Sequence, residues 1–157
     1  MKKILFIFLI AVTTKSCSST KQVVAINNKH LKADKIIQNA NSFLGTKYKY
    51  GGTTKKGMDC SGLIYTSFKQ EHITLPRISR DMAMQGKTIP LKQVKKGDLL
   101  FFITGKKKRI SHVGLVTKIV NKEVFFIHTS SKRGVITSSM NEKYYKARFV
   151  KAKRVLE

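Results

Sequence analysis

The sequence is short of acid, short of cysteine and without a long apolar run, and each shortage excludes something. Eight Asp and Glu stand against 32 Lys and Arg, a formal charge of +24 on 157 residues. That balance points to nucleic acid or another anionic surface, or else to lysine spread over solvated faces. Two cysteines, Cys17 and Cys60, are too few for a disulfide framework. The N-terminal apolar run, from Ile4 to Val12, is about nine residues and too short to span a bilayer as a helix. No internal repeat or low-complexity tract is present. The length suits one domain and is too short for two comfortable ones. A hydrophobic fraction of 41% with nine Phe and five Tyr excludes wholesale disorder.

Lys2 and Lys3 precede the apolar run, which predicts a signal peptide over residues 1–16; a core helix is the competing explanation. The following segment, Thr14-Lys15-Ser16-Cys17-Ser18-Ser19-Thr20, resembles the cleavage box of bacterial lipoproteins. That resemblance implies that Cys17 becomes the lipidated first residue of an exported, membrane-anchored protein facing the periplasm. An ordinary signal with an incidental cysteine is the alternative. Each buried acyl methylene contributes about 0.8 kcal/mol, so several chains on one residue suffice as an anchor. Residues 17–30 are then a flexible tether and residues 31–157 the domain. With Cys17 acylated, Cys60 is a lone thiol. Export removes nucleic acid as a partner and leaves anionic headgroups and cell-wall peptide carboxylates, met by a monomer.

From Ala33, the positions Ile36, Ile37, Ala40, Phe43 and Leu44 recur at three- and four-residue steps, predicting an amphipathic helix stopped by Gly45. Residues 48–58 form a glycine-punctuated loop. Asp59 can cap a second helix starting at Cys60, with Leu63, Ile64 and Phe68 facing inward, and a short third helix is expected near residues 79–85. Beyond Pro90, residues 99–103, 113–120, 123–128, 134–138 and 147–155 read as strands, with Asn121-Lys122 as a hairpin turn. Helices first and antiparallel strands second make an α+β fold with the helices against a sheet.

Asp59-Cys60-Ser61-Gly62 places a thiol where a glycine-rich loop becomes a helix. The unpaired N–H groups of a helix N-terminus stabilise a thiolate and can hold an oxyanion. Gly62 is expected to keep the first turn open to substrate. A buried structural thiol is the competing explanation. Of four histidines, His30 falls in the tether and His72 near an exposed helix end. His112 opens one strand and His128 closes another, so a hairpin through residues 121–122 brings both to one end of the sheet, where one can act as base and the other orient it. An ideal hairpin sets residue 112 opposite residue 131 and misses His128 by three, so a longer turn or a bulge is required. Two histidines and one cysteine with no carboxylate pair beside them make a weak zinc site, and no metal or cofactor is expected.

Tyr48-Lys49-Tyr50-Gly51-Gly52, Asp59-Cys60-Ser61-Gly62, Leu75-Pro76-Arg77, residues 97–102, His112-Val113-Gly114 and Ile127-His128 occur in the order of the NlpC/P60 family. The likeness spans about residues 33–155 and is strongest to its short lipoprotein murein endopeptidases, the Spr/MepS type. The resemblance implies a papain-like α+β fold and hydrolysis of peptidoglycan stem peptides or cross-links. It assigns Cys60 as nucleophile, His112 as general base and His128 as the polar third member. Tyr48 corresponds to a tyrosine that lines the site and helps the oxyanion. Asp59, Ser61 and Arg77 fall where substrate contacts are found in relatives, though capping explains Asp59 and an exposed structural role explains Arg77 as well. Two other classes stay open: a non-catalytic murein-binding lipoprotein, and a thiol acyltransferase or amidase on the same scaffold with a wide apolar groove.

Overall fold

In the computed structural model, which describes residues 19–156 (side chains from residue 27 on, residue 29 excepted), Ala33, Ile36, Ile37 and Ala40 are all buried on one face of helix α1, Ser19–Asn41. The expected signal segment and Cys17 lie outside the described residues. Helix α1 starts well before Ala33, so residues 19–30 are helical where an irregular tether was expected. No glycine or proline interrupts residues 19–41. The apolar periodicity marks where the helix is packed, not where it begins. The helix also ends at Asn41, short of Gly45, and Leu44 beyond it is exposed rather than in the core.

The loop after α1 holds a small hairpin of β1 (Thr53–Thr54) and β2 (Gly57–Met58). Helix α2 (Cys60–Lys69) follows, and its inward residues Leu63, Ile64 and Phe68 are fully buried. Burying each of these side chains stabilises the fold by about 1.5–3 kcal/mol. The third helix, α3, is a single turn at Ser79–Met82.

The main sheet is antiparallel in the order β3-β8-β4-β5-β6-β7. Its strands are β3 (Lys87–Ile89), β4 (Leu99–Phe102), β5 (His112–Val120), β6 (Glu123–Ser130), β7 (Gly134–Ser139) and β8 (Phe149–Arg154). Edge strand β3 and helix α4 (Lys143–Arg148) carry no strong periodicity in the sequence, and the strand expected from residue 147 starts only at Phe149. Leu99 and Phe101 face α1 and α2, while Leu100 and Phe102 face a second core closed by Met140 and Tyr145. A strand buried on both faces explains the unbroken apolar run Leu99-Leu100-Phe101-Phe102. Gly97, at a φ of 87°, turns the chain into β4. Buried Asp98 takes Arg154 Nε and Nη2 at 2.9 and 2.7 Å, tying β8 to the start of β4.

The β5–β6 hairpin decides where the histidines meet. Asn121 and Lys122 both have positive φ, 49° and 67°, the primed turn that suits a two-residue hairpin. Val120 pairs with Glu123, but a bulge between Val116 and Lys118 moves the register by one residue, so that Leu115 pairs with Ile127. Carried to the start of β5, that register sets His112 opposite Ser130 instead of Ser131. The remaining two residues are a diagonal across one sheet face, which long side chains span. Gly114, opposite His128 in this register, leaves the space: a Cβ there would lie 2.4 Å from the Phe126 ring.

Candidate active site

Cys60 is the first residue of α2, and the glycine-rich loop is fixed to that helix start by Asp59. The Asp59 carboxylate caps the helix by accepting the Gly62 N–H at 2.6 Å, and it accepts the Gly51 N–H at 2.8 Å. Arg77 closes the arrangement with Nη1 and Nη2 each 2.9 Å from an Asp59 oxygen, while donating to Ser61 Oγ at 2.9 Å and to the Gly52 carbonyl at 3.2 Å. Burial alone would raise the Asp59 pKa, but Arg77 and the two N–H donors hold it below the usual carboxylate value. Asp59, Ser61 and Arg77 are thus bound to one another behind Cys60 and do not line the cavity in front of it. The space beside Gly62 is likewise taken by protein: a Cβ there would sit 2.1 Å from the Gly52 carbonyl oxygen. This glycine serves close packing of loop on helix, not the approach of substrate.

In front of Cys60 lies a cavity of about 540 Å³ whose walls include Tyr48, Cys60, Thr104, Ser111, His112 and His128. The sheet therefore brings both expected histidines to the same space as the thiol. Tyr48 stands at the mouth, 39% exposed, its hydroxyl pKa raised by burial and then by negative charge at Cys60 and Asp59. His30 and His72 are elsewhere, His30 exposed on α1 and His72 beyond the end of α2.

His112 Nε2 and His128 Nδ1 are 3.1 Å apart, with the rings nearly perpendicular at 81°. On the far side, His128 Nε2 is 3.2 Å from Ser138 Oγ and 3.0 Å from Tyr145 Oη. His128 is 1% exposed, so these hydroxyls are its only route to a satisfied second nitrogen among the described residues. The sequence reading missed both. Ser138 lies two residues beyond Ile136, the register partner of His128, on the same face of β7. Tyr145 is carried by α4, whose place no pattern in the sequence announces.

Two proton arrangements fit this chain, running in opposite directions. If His128 Nε2–H donates to the hydroxyls, its Nδ1 accepts His112 Nε2–H, and His112 Nδ1 is left as a bare lone pair. The reverse arrangement puts a proton on His112 Nδ1. Only the first makes His112 a base.

Burial pushes the Cys60 thiol up to about 11, against the N–H groups of Val113, Ser61 and Cys60 that favour its thiolate. Burial likewise pushes His112 down to about 4. His128 is lowered to about 3 by burial first, then by the charges of His112 and Arg133. Desolvation thus opposes the helix N-terminus, whose N–H groups favour the thiolate. Burial disfavours the charged form of both the Cys60 thiol and the His112 imidazole, which line the same cavity. Among the described residues, no group of three or more His, Cys, Asp or Glu is arranged to hold a metal ion.

The model of the NlpC/P60 family matches residues 45–154. The chain is 42% identical over 113 residues to an Escherichia coli K12 protein named murein DD-endopeptidase MepS/murein LD-carboxypeptidase, covering 71% of this chain and 57% of that one. It is 36% identical over 115 residues to the probable endopeptidase NlpC of the same strain, covering 73% and 72%. Among solved structures, an NlpC/P60 family protein from Bacillus cereus superposes with a TM-score of 0.71 at 31% identity, covering 80% of this chain and 40% of that one.

Proposed function

The chain belongs to the NlpC/P60 family, and from that premise we propose that it is a cysteine peptidase that hydrolyses amide bonds in peptidoglycan stem peptides or their cross-links. One observation carries the proposal: a capped helix-start thiol and a hydrogen-bonded His112–His128 chain open into one cavity. In this mechanism Cys60 passes its proton to His112 Nδ1 as sulfur attacks the carbonyl carbon. The oxyanion is held by the Cys60 backbone N–H, with the Tyr48 hydroxyl at the mouth as the second donor. The tetrahedral species collapses to a thioester, and the C–N electron pair leaves as an amine carrying the proton from His112. Water then gives a proton to His112 and its oxygen to the acyl carbon, which releases the acid and Cys60.

His128 holds His112 in the base tautomer. Asp59, Ser61 and Arg77 take a positioning role that keeps the loop and the helix start in register, in place of the substrate contacts that the resemblance implied. The murein activities named for the relatives support a substrate in the cell wall and an exported, envelope-associated protein. Lipid on Cys17, holding a monomer to the membrane on its periplasmic side, completes this picture. No helix among the described residues is long and apolar enough to cross a membrane. An acyltransferase would want an apolar groove, whereas Thr104, Ser111, Thr129, Ser130 and Lys132 put polar groups along these walls. The D-Ala–diaminopimelate cross-link is the first choice of bond and the γ-D-Glu–diaminopimelate bond the second. Digestion of purified muropeptides followed by mass spectrometry tests both: one of these two bonds should open, and intact muropeptides would overturn the proposal.

A further inference from the structure

The hydrolysis above makes no use of Lys132 and Arg133, although both line the cavity. They sit in the turn between β6 and β7, exposed, and neither makes an ion pair among the described residues. Their backbone is held firmly. The N–H groups of Lys132 and Arg133 reach Ser130 Oγ at 3.4 and 3.3 Å, and Val135 N–H bonds the Thr46 carbonyl at 2.9 Å. Gly134, at φ +72°, lies so close that a Cβ would be 2.3 Å from that carbonyl. The turn is therefore fixed to the loop that carries Tyr48.

Arg133 shares the lining of the cavity with His128 and Tyr145, and its charge bears on both. The acid on the lining, Glu142, already accepts the Ser139 N–H at 2.9 Å. Thr104 and Ser111, also on the lining, are joined by a loop bearing exposed Lys106, Lys107, Lys108 and Arg109. Around the cavity these cations outnumber Glu142, the one carboxylate on its lining.

The direction of the reaction says which half of the substrate meets this charge. His112 protonates the leaving amine, so the amine half lies along the histidine wall, where Arg133 is. An unneutralised guanidinium there also opposes the imidazolium that must form, and a bound carboxylate removes that opposition. We propose that Lys132 and Arg133 form a carboxylate subsite that takes the free carboxylate on the carbon bearing the leaving amine. The inference rests on the peptidase reading and sharpens it. Bonds whose amine-side residue keeps a free carboxylate, such as a terminal residue or the amine donor of a cross-link, are preferred. A bond whose amine-side carboxyl is tied up in the next amide is disfavoured.

The test uses two synthetic peptides with the same scissile bond, ending on the amine side in a carboxylate or a carboxamide. The wild-type protein is expected to show kcat/KM about 10- to 100-fold higher for the acid, the scale of a charge-assisted hydrogen bond. In the Lys132→Gln/Arg133→Gln variant the acid-to-amide ratio should fall to about one, and Arg133→Lys should restore part of it. A second measurement needs no variant: the free amine-side product should inhibit the wild-type protein, and its carboxamide should inhibit it at least about tenfold less. Equal rates for acid and amide in the wild type, or a ratio that survives in the double variant, overturns the subsite while leaving the peptidase intact. Cleavage of neither peptide nor of muropeptides would instead remove the peptidase reading, and the subsite with it.

Discussion

Removing both hydroxyls behind His128 should switch off the base without touching Cys60 or His112. Tyr145 Oη and Ser138 Oγ lie 3.0 and 3.2 Å from His128 Nε2, in a place where His128 is 1% exposed. With either hydroxyl present, Nε2–H keeps a partner and the productive tautomer stays in place. Tyr145→Phe retains the ring that packs on Phe102 and Phe126, and Ser138→Ala removes one atom, so each single variant should lose little. In the double variant Nε2–H is buried and unpaired, at a cost of about 1–3 kcal/mol. The opposite tautomer leaves a bare nitrogen there and sends the proton along the chain to His112 Nδ1. If the tautomer balance moves by that amount, kcat/KM falls by roughly 5- to 150-fold, far beyond the product of the two single effects. Steady-state cleavage of a muropeptide by the four proteins measures it, and nitrogen chemical shifts of the two imidazoles report the tautomer directly. Independent, additive losses with unchanged imidazole shifts would refute the reasoning.

Acid should act on the same residues. As the proposed base, His112 must lack its proton, so kcat/KM should fall as pH drops toward about 4, well below the ordinary histidine range, and a limb near pH 6.5 in a pH–rate profile would contradict this. Half-buried His112 and buried His128 both have folded pKa values below the unfolded value, so the unfolded state binds more protons in acid. Their contribution to stability is present above pH 6.5 and is lost as pH falls through about 4 and then about 3; urea midpoints measured from pH 7 to pH 3 should decline accordingly. Gly62→Ala forces a Cβ against the Gly52 carbonyl 2.1 Å away, a backbone contact that cannot swing aside. It should cost about 1–3 kcal/mol and lower the melting temperature by several degrees; an unchanged melt would place that loop elsewhere. Arg154→Met leaves Asp98, with 3% of its side chain exposed, as an unpaired buried carboxylate. Chemical denaturation should show a loss of about 3–5 kcal/mol.

The parts of this site readable in the sequence are those fixed over short distances. A cap at Asp59, a thiol beside it and inward Leu63, Ile64 and Phe68 are consequences of helix geometry over a few residues. The strand pattern and the Asn121-Lys122 turn likewise follow from alternation and turn chemistry. What stayed hidden depends on tertiary placement. The register called for a longer turn or a bulge, but that it is a one-residue bulge near Thr117, completed by a diagonal contact, leaves no mark on composition. Arg77 pairs with Asp59 across 18 positions, and Tyr145 reaches His128 from a short helix whose burial depends on the sheet already being formed. The balance acting on the thiol is only half local. The helix dipole is local and visible, whereas the desolvation that opposes it comes from the tertiary packing around Cys60.

The central claim is that Cys60 performs the hydrolysis with His112 as its base, and the most direct measurement is muropeptide cleavage by Cys60→Ala beside wild-type protein at equal concentration. The wild type should release fragments and Cys60→Ala none, with both proteins melting at similar temperatures. Fragments of the same masses released by Cys60→Ala at a rate near that of the wild type would contradict it.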